Sequence, residues 1–265
     1  MCNAMSPMLN SIRAAARLLL LVLWIVSMIG LASFVYYTRL EKIRAPVVRF
    51  FYRVCCMIFG LRITVEGVIA PNRPLLLISN HTTYLDIPVM GSLVNLSFTP
   101  KSEIRSWPVI GYLGVLADCV YIERRPAYMQ QAATEMREKL AAGKVLSIFG
   151  EGTTTDGVHL KPFKSGFMSL AIEEELPVQP ISLAYTHFGD RRIADDNREE
   201  VAWVGDATFF RHFWHVLSQP SVRIHVKVHP LIPPHTYGDR KTLTLACEKM
   251  VATGVAELMA KARNP

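Results

Sequence analysis

Charge is scarce in this sequence. Asp, Glu, Lys and Arg make up only 19% of its 265 residues, against 51% hydrophobic residues, a balance that leans apolar for a purely soluble protein. Cysteine is scarce as well. Cys2, Cys55, Cys56, Cys119 and Cys247 are odd in number and include no C-x-x-C pair. That pattern speaks against a disulfide scaffold and against cysteine-bound metal, and it fits reduced thiols in a cytoplasmic domain. The net charge of +7 is not gathered into a long basic run, and neither zinc-finger spacing nor an aromatic-rich RNA signature accompanies it. Nucleic acid is therefore not an expected partner. No internal repeat or low-complexity linker is present, which sets aside repeat architectures.

What the sequence does have is one long apolar run. From Leu18 to Tyr37, "LLLLVLWIVSMIGLASFVYY", twenty residues pass without a charge. As a helix this run is about 30 Å long, the thickness of a bilayer core. A signal peptide would have a shorter apolar part, roughly 7–15 residues, and a small-residue cleavage site; no convincing site follows. Arg13 and Arg17 precede the run, and Arg39, Lys42, Arg44, Arg49 and Arg53 follow it. The heavier positive flank predicts that the bulk of the chain faces the cytoplasm, with basic residues near anionic headgroups. Because "VVRFFYRVCCMIFG" (47–60) is also apolar, a hairpin or an in-plane helix stays open beside a spanning one.

Beyond Gly60, strand-like and helix-like stretches alternate. "LRITVEG" (61–67), "PLLLIS" (74–79), "CVYIER" (119–124), "KVLSIF" (144–149), "PVQPISLAY" (177–185) and "VRIHVKV" (222–228) read as strands. The two prolines of the fifth argue for an edge or broken strand. Helices are expected over 83–94, 126–143, 165–175 and 239–262, with Pro126 in a first turn and Gly143 past an end. "FGDRRIADDNREE" (188–200) is the candidate mobile loop. The chain thus divides into an N-terminal membrane anchor with a basic juxtamembrane segment (1–60) and an α/β domain with a central mixed sheet flanked by helices (61–265).

Chemistry concentrates at "ISNHTTYLDIPVM" (78–90), where His81 ends an apolar run and Asp86 follows five residues later. Five helical residues rotate by about 500°, so the two cannot share a helix face. They meet only if His81 sits in a strand-to-helix turn and Asp86 opens the helix. There the carboxylate would fix the imidazole tautomer and leave the other nitrogen as a general base. Thr83-x-x-Asp86 equally has the shape of a capping box, in which the acid only satisfies a helix-end amide. Three further stretches follow: "VYIERR" (120–125), "IFGEGTTTDG" (148–157), whose small residues let backbone amides approach an anion, and "LPVQPISLAY" (176–185).

In that order these stretches resemble the glycerolipid acyltransferase family, the 1-acylglycerol-3-phosphate acyltransferases and related lysolipid acyltransferases. Asn80, His81 and Asp86 match the family's first block, Arg124 in "VYIER" its arginine block, and Glu151, Gly152 and Thr153 its third block. "LPVQPISLAY" is similar to the fourth, and "TPKSEI" with Lys101 and "KPFKSGF" also resemble family segments. The resemblance covers roughly residues 61–190 and implies acyl transfer without a metal or cofactor. His81, oriented by Asp86, would take a proton from a lysolipid hydroxyl as it attacks an acyl thioester of acyl carrier protein or coenzyme A. Lys101, Arg124, Glu151, Gly152 and Thr153 would organise the acceptor, a membrane lipid. The expected acceptor is 1-acylglycerol-3-phosphate. The phosphatidic-acid-forming branch, however, carries an arginine where this chain has Thr154, which makes lyso-ornithine lipid or another lysolipid the alternative.

Two other classes compete. A metal-dependent hydrolase would draw on His212, His215, His225 and His229, but no ligating carboxylate accompanies them. A non-catalytic lipid-binding protein would have no use for the His81–Asp86 pair.

Overall fold

The computed structural model describes residues 7–123, 126–205 and 208–263. It opens with two helices, α1 (Pro7–Tyr37) and α2 (Glu41–Phe59). Helix α1 buries Ala14, Leu21, Met28 and Val35, a stripe repeating every seven residues, the spacing that keeps one seam on a packed neighbour. Its other faces leave Leu19, Leu23, Val26 and Phe34 exposed. By length and composition it is one helix able to cross a membrane.

The remainder alternates as the sequence predicts: β1 (Leu61–Glu66), β2 (Leu75–Ser79), α3 (Asp86–Leu93), β3 (Ser97–Phe98), α4 (Ile110–Leu116), α5 (Pro126–Ala141), β4 (Val145–Phe149), α6 (Ser169–Glu173), β5 (Val178–Phe188), β6 (Arg191–Arg192), α7 (Phe209–Ser218), β7 (Val222–Val228) and α8 (Arg240–Lys261). The sheet runs β1-β7-β5-β2-β4-β3, with β6 on β5. Strands β2, β3, β4 and β5 are parallel where they pair, whereas β7 is antiparallel to β5. The sheet is therefore mixed. Every residue of β2 is buried, as a continuous apolar run in a covered parallel strand should be. Leu75 and Leu77 pack with residues of α1, α2, α3 and α7 on one face, while Leu76 and Ile78 pack with residues of α5, α6 and α8 on the other.

Three expectations are corrected. Strand β5 is central, not an edge, despite its prolines. The Val178 N–H points towards Ile232, and the Pro180 carbonyl accepts from His229 N, so the missing Pro180 N–H faces the place where β7 gives way to a loop. No bond to β2 is lost. Of the strand expected over 119–124, the described residues 119–123 do not form a full one. Ile122 makes a single parallel bridge to Lys101, because its partner β3 is only two residues long and Pro100 follows. The stretch 188–200 is folded: β6 pairs with β5, Asp195–Glu200 forms a 3-10 turn, and Ile193 and Arg198 are buried.

Five of the arginines that flank the apolar run take up helix ends. Arg13 and Arg17 donate to the carbonyls of Ser218 (2.7 Å), Leu217 (3.1 Å) and Gln219 (2.6 Å) at the end of α7. Arg44 donates to Leu116 and Val115 at the end of α4. Arg49 and Arg53 both donate to Ser92, and Arg49 also to Leu93, at the end of α3. Each cation meets carbonyls that lack an intrahelical donor and the negative end of a helix dipole. These side chains thus hold α1 and α2 to the α/β body, a task distinct from meeting lipid headgroups.

On the opposite face α8 lies close to β5. The Ser182 hydroxyl donates to the Val251 carbonyl and contacts His229 Nε2 at 2.8 Å. A Cβ at Gly254 would stand 2.3 Å from Ser182 Oγ and 2.6 Å from His229 Nε2. Gly254→Ala is therefore expected to push α8 off the sheet and destabilise the fold by about 1–3 kcal/mol, the usual range for overpacking. A fall in Tm of the detergent-solubilised protein measures it; an unchanged Tm would show that α8 yields freely.

Candidate active site

The site forms where β2 and β4 end at the same edge of the sheet. After Ser79, Asn80 is fully buried and its side-chain amide extends the ladder towards β5: Nδ2 donates to the Leu183 carbonyl (3.0 Å) and Oδ1 accepts from Leu183 N (2.9 Å). The chain then turns through 81–85 into α3, whose first residue is Asp86.

His81 and Asp86 meet across that turn. His81 Nδ1 lies 2.7 Å from Asp86 Oδ2, and the same oxygen accepts from the main-chain N–H groups of Thr82 (2.7 Å) and Thr83 (3.0 Å). The capping task and the pairing task thus coexist on one carboxylate. The threonine half of a capping box is missing, since Thr83 Oγ1 is buried without a partner. A carboxylate bonded to two amides accepts from the imidazole as well, which makes His81 the Nδ1–H tautomer and leaves Nε2 with a lone pair. Asp86 is wholly buried, whereas the His81 side chain keeps 18% of its surface exposed. Phe149, the last residue of β4, stacks on the imidazole at a centroid distance of 3.8 Å and 10° between planes.

The Glu-Gly-Thr loop grips His81 through its main chain. Glu151 Oε1 accepts from His81 N (2.9 Å), Oε2 accepts from Lys161 N (2.8 Å), and Thr155 N donates to His81 O (2.8 Å). Glu151 is almost fully buried. Burial pushes its carboxyl above the ordinary value, and the two amide donors pull it back part of the way. Gly152 adopts φ +63°, and a Cβ there would lie 2.9 Å from Lys164 Nζ; glycine thus permits the left-handed turn and lets the lysine pass over the loop. Thr154 donates to the Trp203 carbonyl (2.6 Å), and Trp203 N donates to Thr82 O (3.0 Å), so the loop, the 81–85 turn and the 201–205 segment are stitched together.

Of the residues singled out from sequence, His81, Asp86 and Glu151 come into one hydrogen-bonded group, with Gly152 and Thr153 following in the same loop. Lys101 is exposed just beyond β3, at the same edge of the sheet. Arg124 lies outside the described residues. Three of the four histidines weighed as metal ligands have other partners: His212 contacts Tyr84, His215 contacts Glu200, and His229 contacts Ser182; His225 lies on β7 opposite Thr64. Among the described residues no group of three or more His, Cys, Asp or Glu side chains could hold a metal ion. Sequence reasoning missed Tyr185, whose hydroxyl donates to Asp86 Oδ1 (2.7 Å), as well as Phe149 and the Tyr84–His212 pair behind the turn. A signal for Tyr185 existed: it is a polar-tipped residue closing an apolar strand, and a buried phenol needs a partner.

Residues 61–184 match the model of the family described as Acyltransferase. A lyso-ornithine lipid O-acyltransferase of Brucella abortus is 35% identical over 218 residues, 79% of this chain and 81% of that one. The chain belongs to the acyltransferase family. A second lyso-ornithine lipid O-acyltransferase, from Rhizobium meliloti, is 30% identical over 89% of this acyltransferase and 84% of its own length. The 1-acyl-sn-glycerol-3-phosphate acyltransferase of Neisseria meningitidis serogroup B is 31% identical over 71% and 72%. The crystal structure of the 1-acyl-sn-glycerophosphate (LPA) acyltransferase PlsC from Thermotoga maritima superposes with a TM-score of 0.69 at 23% identity, over 93% of this chain and 98% of that one, and thus shares the fold. The protein is accordingly an acyltransferase of lysolipids.

Two outcomes follow from the geometry. Glu151→Gln sets an amide donor against Lys161 N–H or His81 N–H. The rate should fall about 10²-fold, as a misplacement of about 1 Å does, with the acceptor KM nearly unchanged; a large rise in KM alone would make Glu151 a substrate contact instead. His212, buried against Tyr84, has its pKa lowered to about 4 by burial. Its folded value lies below its unfolded one, so it costs no stability above pH 6.5 and progressively more as pH falls towards 4, up to about 3 kcal/mol. His212→Phe should abolish that part of the acid dependence of Tm.

Proposed function

We propose that this acyltransferase moves a fatty acyl group from an acyl thioester to the free hydroxyl of lyso-ornithine lipid, with His81 as general base. The hydrogen-bonded His81–Asp86 pair, exposed only on the imidazole side, carries the mechanism. His81 Nε2 takes the hydroxyl proton as the oxygen attacks the thioester carbonyl. The C–O bond forms, the C–S bond breaks, and the imidazolium returns the proton to the leaving sulfur. Asp86 steadies the charge that the imidazole carries in between. The donor is a thioester of acyl carrier protein or coenzyme A. Lys101, Arg124 and Thr153, together with the loop around Gly152, organise the acceptor.

Two observations support the acceptor. Lyso-ornithine lipid O-acyltransferases are similar to this chain over most of its length, and the third-block loop has the neutral Thr154, engaged with Trp203, where a cation would grip a phosphate. The sequence-based preference for 1-acylglycerol-3-phosphate becomes the second reading. It is favoured by the Neisseria relative and by Lys164, which brings a cation over Gly152.

The same proposal places the protein on a membrane. Helix α1 is about 46 Å long and is tied to the body near both ends, by Arg17 at α7 and by the Ser33–Tyr112 hydrogen bond (2.8 Å) near α4. A helix fastened along its length presents its outer face to lipid and lies in one leaflet beside the body. The exposed Trp107, Val109 and Ile110 before and at the start of α4 continue that apolar face. The body faces the cytoplasm, where the acyl thioesters are.

The purified protein in detergent should transfer labelled acyl groups to lyso-ornithine lipid in preference to lysophosphatidic acid. His81→Ala should lose about 10²–10⁴-fold in rate. Preference for lysophosphatidic acid would reverse the acceptor, and full activity in His81→Ala would remove the mechanism.

A further inference from the structure

A buried carboxylate with no water must find protein donors for both oxygens. Asp86 Oδ2 has three, all local: the His81 ring and the amides of Thr82 and Thr83. Oδ1 takes its hydrogen bond from 99 residues away, from the hydroxyl of Tyr185 on β5. We infer that Tyr185 is a positioning residue of the catalytic pair, holding Asp86 in the orientation and charge state in which it supports His81. The inference rests on His81 being the base.

The strand is built to deliver that hydroxyl. Pairing of β5 with β2 ends at Ser79–Ile181, and the Asn80 amide clamps Leu183 one step further. Tyr185 is the next residue on that side. Immediately after it the ladder to β7 slips, with a bulge between Tyr185 and His187, a device that re-aims a strand beside a site. The ring is buried. Burial and the nearby Asp86 charge push its phenol well above the ordinary value, so the hydroxyl stays a donor at every working pH. Asp86 is thereby held from two sides, by the turn that carries the base and by a separate strand. Without the Tyr185 bond Oδ1 is left without its donor in a buried site and only the local turn holds the carboxylate, so the alignment of Oδ2 with the imidazolium loosens and its support weakens.

Other titratable groups face this pair. Glu151 bonds the His81 main chain, and Cys56 of α2 and Tyr84 lie near Tyr185. The Cys56 thiol is pushed up to about 11 and the Tyr84 phenol is also raised, both by burial, so they stay neutral through the assay range. Glu151 is the group to control for.

Tyr185→Phe keeps the ring and removes one oxygen. Its kcat should fall about 10- to 100-fold with both KM values within about twofold. The acid limb of the rate profile should move to lower pH, because a less supported imidazolium loses its proton more readily. The same shift is read without substrate, by NMR titration of histidine-labelled protein, with His81 assigned from His81→Ala and the titration repeated in Glu151→Gln. A lower His81 titration point in folded Tyr185→Phe supports the inference, with some fall in Tm expected from the unpaired Oδ1. An unshifted or raised titration point overturns it, whether or not activity falls. If the wild type transfers no acyl group, the proposed function fails, and the titration still decides the role of Tyr185.

Discussion

The site is organised around one demand: a carboxylate has been taken completely out of water and must be satisfied from within. Four donors meet at Asp86, and they come from two separate parts of the chain. Three belong to the 81–85 turn, two amides and the His81 ring, and one stands on β5. Each donor constrains the element that carries it. The turn cannot relax, the helix α3 cannot start elsewhere, and β5 cannot slide against β2 without breaking a charge-assisted bond in a low-dielectric setting.

The sheet order makes this possible. Strand β2 lies between β4 and β5, so the residue that follows it is reached from both sides. From β4 come Phe149, stacked on the imidazole, and Glu151 on the His81 amide; from β5 come Tyr185 and the Leu183 main chain that Asn80 reads. Chemistry at the carboxyl ends of parallel strands is the general habit of α/β sheets. Here the two neighbours divide the work: β4 and its loop fix the backbone and ring of His81, and β5 fixes Asp86. Glu151 therefore shapes the site from beneath it, through amides.

Much of this was legible in the amino-acid order, and the failures have physical causes. The strand-to-helix turn that unites His81 with Asp86 follows from rotation per residue, and the buried run of β2 follows from its unbroken apolar character. The alternation of β7, with Val222, Ile224, Val226 and Val228 buried, was equally plain. Pro180 misled because a proline excludes one hydrogen bond on one side only, and which side is decided by the partner strand. The partners of the basic flank could not be read, because a count of charges does not register helix ends, which arise only when the chain folds back. Tyr185 was hidden by distance, since no local spacing relates residue 185 to residue 86.

Helix α3 has only eight residues, yet both of its ends are spoken for. Its first residue carries the acid, and its last carbonyls receive Arg49 and Arg53 from α2. The N-terminal helices and the His81–Asp86 pair are thus opposite handles of a rod about 12 Å long. The membrane segment is consequently no interchangeable leash. An unrelated hydrophobic helix grafted in its place would bring the enzyme to the bilayer and still leave three helix ends uncapped, one of them continuous with the acid. Kinship in this chain between where it sits and what it does is mechanical, written in guanidinium groups.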